Sequence, residues 1–156
     1  MAELTGRVQI FSGNTANVDT VKAHTLLTRA FDTNDREYIY LTGCSSTIVG
    51  SWVTYDEAGL TTLLAANAVG PVAVAMAITD STAEYGWYCI FGECEADLVA
   101  SVADNALLGR ETTDGKAGDG CSAGDAITGA VSRDSTTAAA VATVQLCYPS
   151  VNDKSA

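Results

Sequence analysis

The chain has 156 residues, 19 acidic against 8 basic side chains, one histidine and a formal net charge of -11. This is the size of one domain, and 47% hydrophobic with 17% charged residues is the composition of a chain that folds. The charge argues against nucleic acid and anionic lipid as partners, since both are bound through Lys and Arg, and a lone imidazole, His24, leaves little for zinc or histidine acid/base chemistry.

Along the chain, residues 1–5 read as a short N-terminal arm without the basic-then-apolar pattern of a secretory signal. In Arg7–Phe11, Val8 and Ile10 share a face. The turn Asp32-Thr-Asn-Asp35 separates the Leu26-Leu27 segment from Glu37–Leu41, where Tyr38 and Tyr40 lie on one side. Residues 56–67, rich in Ala and Leu, are the best candidate for one short helix. From Ala58 to Thr79 no charged residue occurs, a length that would span a bilayer. Thr61, Thr62, Asn67, Gly70 and Pro71 interrupt it, so it reads as two buried segments joined by a turn and not as a membrane span.

Period-two patterning follows. Val72, Val74, Met76 and Ile78 form a bulky face opposite a smooth one of Ala73, Ala75 and Ala77. After the turn at Asp80–Glu84 comes the aromatic strand Tyr85–Phe91. The stretch Cys94–Leu108 suits either a helix or a strand. As a strand it places Cys94, Ala96, Leu98, Ala100 and Val102 inward and Glu93, Glu95 and Asp97 outward, before a turn at Asp104-Asn105. Asp114-Gly115 and Asp119-Gly120 mark tight turns. Ala142, Val144, Leu146 and Tyr148 then alternate with Val141, Thr143, Gln145 and Cys147. Residues 150–156 read as a C-terminal tail. The expected fold is all-β, a compact β-barrel or β-sandwich formed by a single domain over residues 6–149.

Signatures of chemistry are sparse. There is no nucleophile elbow, P-loop or dinucleotide-binding fingerprint. Asp32–Glu37 partly resembles a calcium loop, but Glu37 and Arg36 replace required positions, and an ordinary turn explains the acids. The same holds for Asp114, Asp119 and Asp125. Five cysteines, Cys44, Cys89, Cys94, Cys121 and Cys147, make no even framework and read as free buried thiols. Glu93, Glu95 and Asp97, on the outer face of one strand, are the acids best spaced for glycoside cleavage, Glu93 or Glu95 above all. The aromatics Tyr85, Trp87, Tyr88 and Phe91, with Trp52 and Tyr55 elsewhere, are suited to stack on sugars, Trp52 and Trp87 above all. The bland reading of each, a solvated face and a core or interface aromatic, is preferred, so no catalytic, cofactor or metal residue is assigned and no enzyme is expected.

Several strings in the second half occur in a telling order: Glu84-Tyr-Gly-Trp-Tyr-Cys-Ile-Phe-Gly92, Ala96-Asp-Leu-Val-Ala100, Ala103-Asp-Asn-Ala-Leu-Leu108, Thr113-Asp-Gly115, Gly124-Asp-Ala-Ile127 and Val144-Gln-Leu-Cys-Tyr-Pro-Ser-Val-Asn-Asp153. Together they resemble the capsid decoration, or cement, proteins of tailed bacteriophages over roughly residues 70–153, with weaker support from Tyr38–Gly43. The resemblance implies a virion structural protein, made in the host cytoplasm, that binds the outer capsid surface and ties neighbouring major capsid subunits together. It implies a homo-oligomer as well, a trimer as first expectation and a dimer as second. A glycan-binding or host-attachment module on the virion surface is the alternative. The negative charge fits an outward position, away from packaged DNA, and leaves apolar and Thr-rich faces, with Arg7, Arg29 and Arg110, for the capsid contact.

Overall fold

A computed structural model describes residues 13–120 and 125–152. Its ten strands are β1 (Arg29–Phe31), β2 (Glu37–Thr42), β3 (Trp52–Tyr55), β4 (Thr61–Leu63), β5 (Val69–Ala75), β6 (Tyr85–Leu98), β7 (Leu107–Arg110), β8 (Ala117–Gly118), β9 (Ala126–Ser132) and β10 (Ala140–Asn152). They form one mixed sheet, ordered β1-β2-β6-β8-β7-β9-β10-β5-β3-β4, with further β6–β10 and β6–β5 pairings. The fold is all-β, and no helix occurs among the described residues. The expected N-terminal arm and the Arg7–Phe11 strand lie outside them.

The extra pairings close the sheet. β10 returns along β6, Ala140–Cys147 against Leu98–Phe91, so that β6, β8, β7, β9 and β10 make a ring. The larger core takes Tyr38, Tyr40, Trp52, Val72, Val74 and Trp87 from one side of the sheet, and Leu98, Leu108, Val144 and Leu146 from the ring. A smaller core lies on the opposite face of β2, β3, β5 and the first half of β6, built from Ile39, Leu41, Val53, Ala73, Ala75, Tyr88 and Ile90. Strands shared by two cores are buried on both faces, and all six residues of β2 are buried.

The bulky and smooth faces expected around Val72 are therefore real, and each fills a different core. Small Ala73 and Ala75 let the smaller core approach the strand closely. The pattern ends early: β5 stops at Ala75, and Ile78 is 61% exposed. Thr79 pulls the chain aside, because its amide donates to the Thr47 hydroxyl at 2.7 Å and its carbonyl accepts from that hydroxyl at 2.6 Å.

Three bulges bend the long strands and reverse which parity faces inward. In β6, Trp87 and Cys89 point into the larger core, then Gly92 intervenes at φ +91, and from there Cys94, Ala96 and Leu98 point inward. In β9, Gly129 at φ +82 separates Ile127 from Ala130, and both face the core. In β10, register shifts between Leu146 and Ser150, with Tyr148 at φ +46. Tyr148 thereby leaves the inward face on which alternation places it, and is 52% exposed.

The helix expected over residues 56–67 is corrected to a turn followed by β4. Asp56 Oδ1 accepts from the Ala58 and Leu60 amides, both at 2.9 Å, which closes a tight turn instead of a helical one. Gly59 at φ +79 and the β-branched pair Thr61-Thr62 then favour the extended chain, and β4 pairs with β3 from Val53↔Leu63 to Tyr55↔Thr61. The Ala58–Thr79 stretch becomes β4, a turn and β5, and no helix among the described residues is long and apolar enough to cross a membrane.

The strand reading of Cys94 onward holds as far as Leu98, but Ala100 is exposed and Asp97, expected outward, is only 4% exposed. Turns at Asp104-Asn105 and Asp114-Gly115 occur where expected, with Asn105 at φ +60 and Gly115 at φ +77. At the other end, β10 runs to Asn152, so the first residues of the expected tail belong to the sheet, and Val151 is buried in the larger core.

Candidate functional site

The smaller core is closed at one end and open at the other. At the closed end β4 is tied to the end of β2: the Thr42 amide donates to the Gly59 carbonyl (3.0 Å), and the Thr61 hydroxyl to the Thr42 carbonyl (2.9 Å). The Tyr88 hydroxyl reaches the same Thr42 carbonyl at 3.0 Å, and burial pushes its pKa up to about 12. The open end is a recess of about 660 Å³ between β1 and β2 on one side and the starts of β5 and the β3–β4 turn on the other. Leu27, Ile39, Tyr55, Val69 and Pro71 give it apolar walls, and Arg29, Asp56 and Glu57 stand among them. An adjoining recess of about 280 Å³ shares Arg29, Tyr55 and Pro71 and continues to Ile90, Tyr148 and Pro149.

One buried carboxylate organises this surface. Glu37, at the start of β2, is 1% exposed, and it accepts from the Tyr148 hydroxyl at 2.7 Å and from Arg29 Nη1 at 3.2 Å. The Arg29 guanidinium lies 5.7 Å from the centre of the Tyr148 ring, which packs 5.2 Å from Phe91. Hydrogen bonding to Glu37, followed by burial, raises the Tyr148 phenol above its ordinary pKa. Burial raises Tyr55 also. Both phenols are therefore neutral at physiological pH and act as hydrogen-bonding apolar surfaces.

The residues singled out from the sequence are not gathered here. Trp52 is fully buried and Trp87 is 5% exposed. Trp52 Nε1 donates to the Asp97 carbonyl at 3.1 Å. Neither indole is offered to a sugar ring, which takes away the feature that recommended a glycan module. Glu93 and Glu95 are exposed on the outer side of β6, and Glu95 accepts from the Thr143 hydroxyl at 3.3 Å. Their setting is a solvated strand face. His24 is exposed, with its ring 5.0 Å from Tyr40 and 5.2 Å from Trp87.

Both calcium-like loops have internal uses for their acids. Asp32 accepts from the Asn34 and Arg36 amides at 2.8 and 3.0 Å, from Arg36 Nε at 2.6 Å and from the Tyr38 hydroxyl at 3.1 Å. Asp119 accepts from the Ala103 amide, and Asp125 pairs with Arg110 at 2.6 Å. Residues 121–124 of the second loop, including Cys121, lie outside the described residues, among which no acidic, Cys and His cluster could hold a metal ion. Cys44, Cys89, Cys94 and Cys147 form no disulfide; the first three are buried as expected, and Cys147 is exposed. A hydrogen bond with Cys89, and then burial, raise Cys94 well above a normal thiol, and both side chains pack in the larger core.

For Asp32, burial pushes the carboxyl up, but the hydrogen bonds from Arg36, Asn34 and Tyr38 outweigh it and the pKa is lowered. A depressed carboxylate stabilises the fold above its unfolded pKa, and that contribution is lost as pH falls through the folded value. Asp32→Asn keeps an Oδ1 acceptor for the two amides and removes the charge that holds Arg36, so it should cost on the order of 1 kcal/mol near neutrality and less in acid. Urea unfolding at pH 7 and at pH 3 measures the two costs, and equal costs would contradict this account.

The arginines expected at a capsid contact, Arg7, Arg29 and Arg110, differ in their surroundings. Arg110 is engaged by Asp125 with its side chain only 13% exposed, Arg29 remains at the recess, and Arg7 is outside the described residues. Arg36 and Lys116 are also paired with carboxylates. Comparison with family models, with curated proteins and with solved structures finds no match.

Proposed function

We propose that the protein is a virion structural protein that binds the outside of an icosahedral capsid and cements neighbouring major capsid subunits. The observation that carries this reading is the apolar surface around the recess. Val69 lines the recess and is 54% exposed, Tyr148 lines the adjoining one and is 52% exposed, and Phe31 on β1 and Leu60 just before β4 are exposed as well, on a body whose strands are cross-paired. Apolar and aromatic side chains held at the surface by a rigid scaffold are the usual centre of a protein–protein interface. The strings that resemble cement proteins support the reading through the scaffold, since Tyr85–Gly92 and Val144–Asn152 lie on β6, which pairs with β2, β5, β8 and β10, and on β10, which pairs with β5, β6 and β9. A cement protein works by bound area, so each copy adds its binding free energy to the shell.

Quantitative mass spectrometry of purified virions, paired with a heat challenge of particles made without the protein, tests this. The expected result is a copy number commensurate with the capsid lattice, and DNA release at a lower temperature when the protein is missing. Its absence from virions, or unchanged heat resistance, would refute the reading.

A further inference from the structure

We infer that the mouth of the smaller core receives an extended segment of a partner chain in which a Lys or Arg stands beside apolar residues. That the partner is a capsid subunit rests on the proposed function; the chemistry of the segment does not.

The volume, about 660 Å³, lies within the usual range for a ligand recess, about 300–1,000 Å³. Its walls offer aliphatic surface from Leu27, Ile39 and Val69 and the phenol face of Tyr55, which suits aliphatic side chains. Gly70, at φ +130, lines it too, and a Cβ built there would meet no heavy atom closer than 3.8 Å. The wall at this point is bare backbone, with room for another chain to approach.

Charge selects among apolar partners. Arg29 and Glu37 neutralise each other, which among the described residues leaves Asp56 and Glu57 as the uncompensated charges of the recess. Asp56 is fixed by the two turn amides that its Oδ1 accepts, so one carboxylate is already in place before binding. A cation next to an apolar side chain complements that arrangement, whereas an acidic segment would be repelled. Preformed apolar walls and a fixed carboxylate limit the ordering cost of binding to that of the incoming segment.

Two synthetic decapeptides of alternating Val and Leu, one carrying Lys and the other Glu at the remaining positions, serve as probes against the full-length ¹⁵N-labelled protein. The Lys peptide should shift the Leu27, Ile39, Tyr55 and Val69 amides. Its affinity should fall about tenfold with added salt and in the double variant Asp56→Asn, Glu57→Lys, which keeps the Oδ1 acceptor that closes the turn, and the Glu peptide should bind more weakly. Shifts elsewhere, no shifts, or equal binding of both peptides would overturn the inference.

A capsid arm separates the two proposals. Val69→Glu alters a 54% exposed side chain and should leave the fold intact. Wild type bound to expanded capsids with Val69→Glu bound about tenfold more weakly supports both proposals. Equal binding of both forms overturns the recess as the contact and leaves the capsid reading standing. Failure of wild type to bind, with the Lys peptide still seated at the recess, overturns the capsid reading alone. A dimer dispersed by Val69→Glu, with no peptide binding, would assign the face to a second copy of this chain and overturn the inference.

Discussion

Replacing Lys116 by Met should destabilise the protein by on the order of 3 kcal/mol, the low end of the range for removing one partner of a buried ion pair. Asp97 is 4% exposed, and Lys116 Nζ sits 2.8 and 2.7 Å from its two carboxylate oxygens. The Lys side chain keeps 27% of its surface, so water partly relieves the stranded carboxylate, and the low end applies. The pair stands beside the thinnest seam of the ring. β8 has two residues, and its parallel pairing with β6 is Leu98↔Ala117, reinforced by the Val99 amide donating to the Ala117 carbonyl at 2.9 Å. Asp97 also anchors the start of β3, since its amide donates to the Gly50 carbonyl and its carbonyl accepts from Trp52. Urea unfolding should show the loss, and hydrogen exchange should show Val99 exchanging faster in the variant. Asp97→Leu combined with Lys116→Met should recover most of the stability, because the desolvated charge disappears with its partner. A single-variant loss below about 1 kcal/mol would mean that the pair behaves as a surface salt bridge.

Gly129→Ala should cost a similar amount, on the order of 3 kcal/mol, from left-handed strain and overpacking together. Gly129 adopts φ +82, and a Cβ there would lie 2.5 Å from the Cys147 carbonyl oxygen. That oxygen belongs to the bulged part of β10, which has no slack of its own, because Tyr148 next to it is already at φ +46 and Pro149 has a restricted φ. A shift of β10 to make room would carry the Tyr148 hydroxyl away from Glu37, so the Phe91–Tyr148–Arg29 cluster should loosen along with the fold. Gly120→Ala is the control, since no described residue lies within 4 Å of its added Cβ, and its expected effect is within about 0.5 kcal/mol. Thermal unfolding of the two variants against wild type measures the contrast, and equal midpoints would show that the β9–β10 bulge is soft.

Much of the candidate recess is invisible to any local reading of the chain. Glu37 and Tyr148 are 111 residues apart, and their contact depends on a bulge that turns Tyr148 outward. Tyr55, Val69 and Pro71 come together because β3 pairs with β5, although β4 intervenes in the chain. Two signals were nevertheless present. Glu37 opens an otherwise apolar strand, and Tyr148-Pro149 interrupts the long alternation of β10.

The sequence by itself determined the all-β class, the positions of the main strands and most of the turns between them, because side-chain alternation and Asp, Asn and Gly at turns act over a few residues. It determined the net negative charge as well, since that does not depend on folding. Only the tertiary structure decided that Asp97 lies inside, that Tyr148 lies outside, and that residues 56–67 make a turn and a strand. Period-two counting holds only until a bulge inserts one residue, and the pairing of β6 with β2 and β10 and the register of β9 on β10 fix where that happens. Likewise Thr61–Leu63 is extended because β3 offers it an edge and Thr42 a pair of hydrogen bonds, which local helix propensity cannot outweigh.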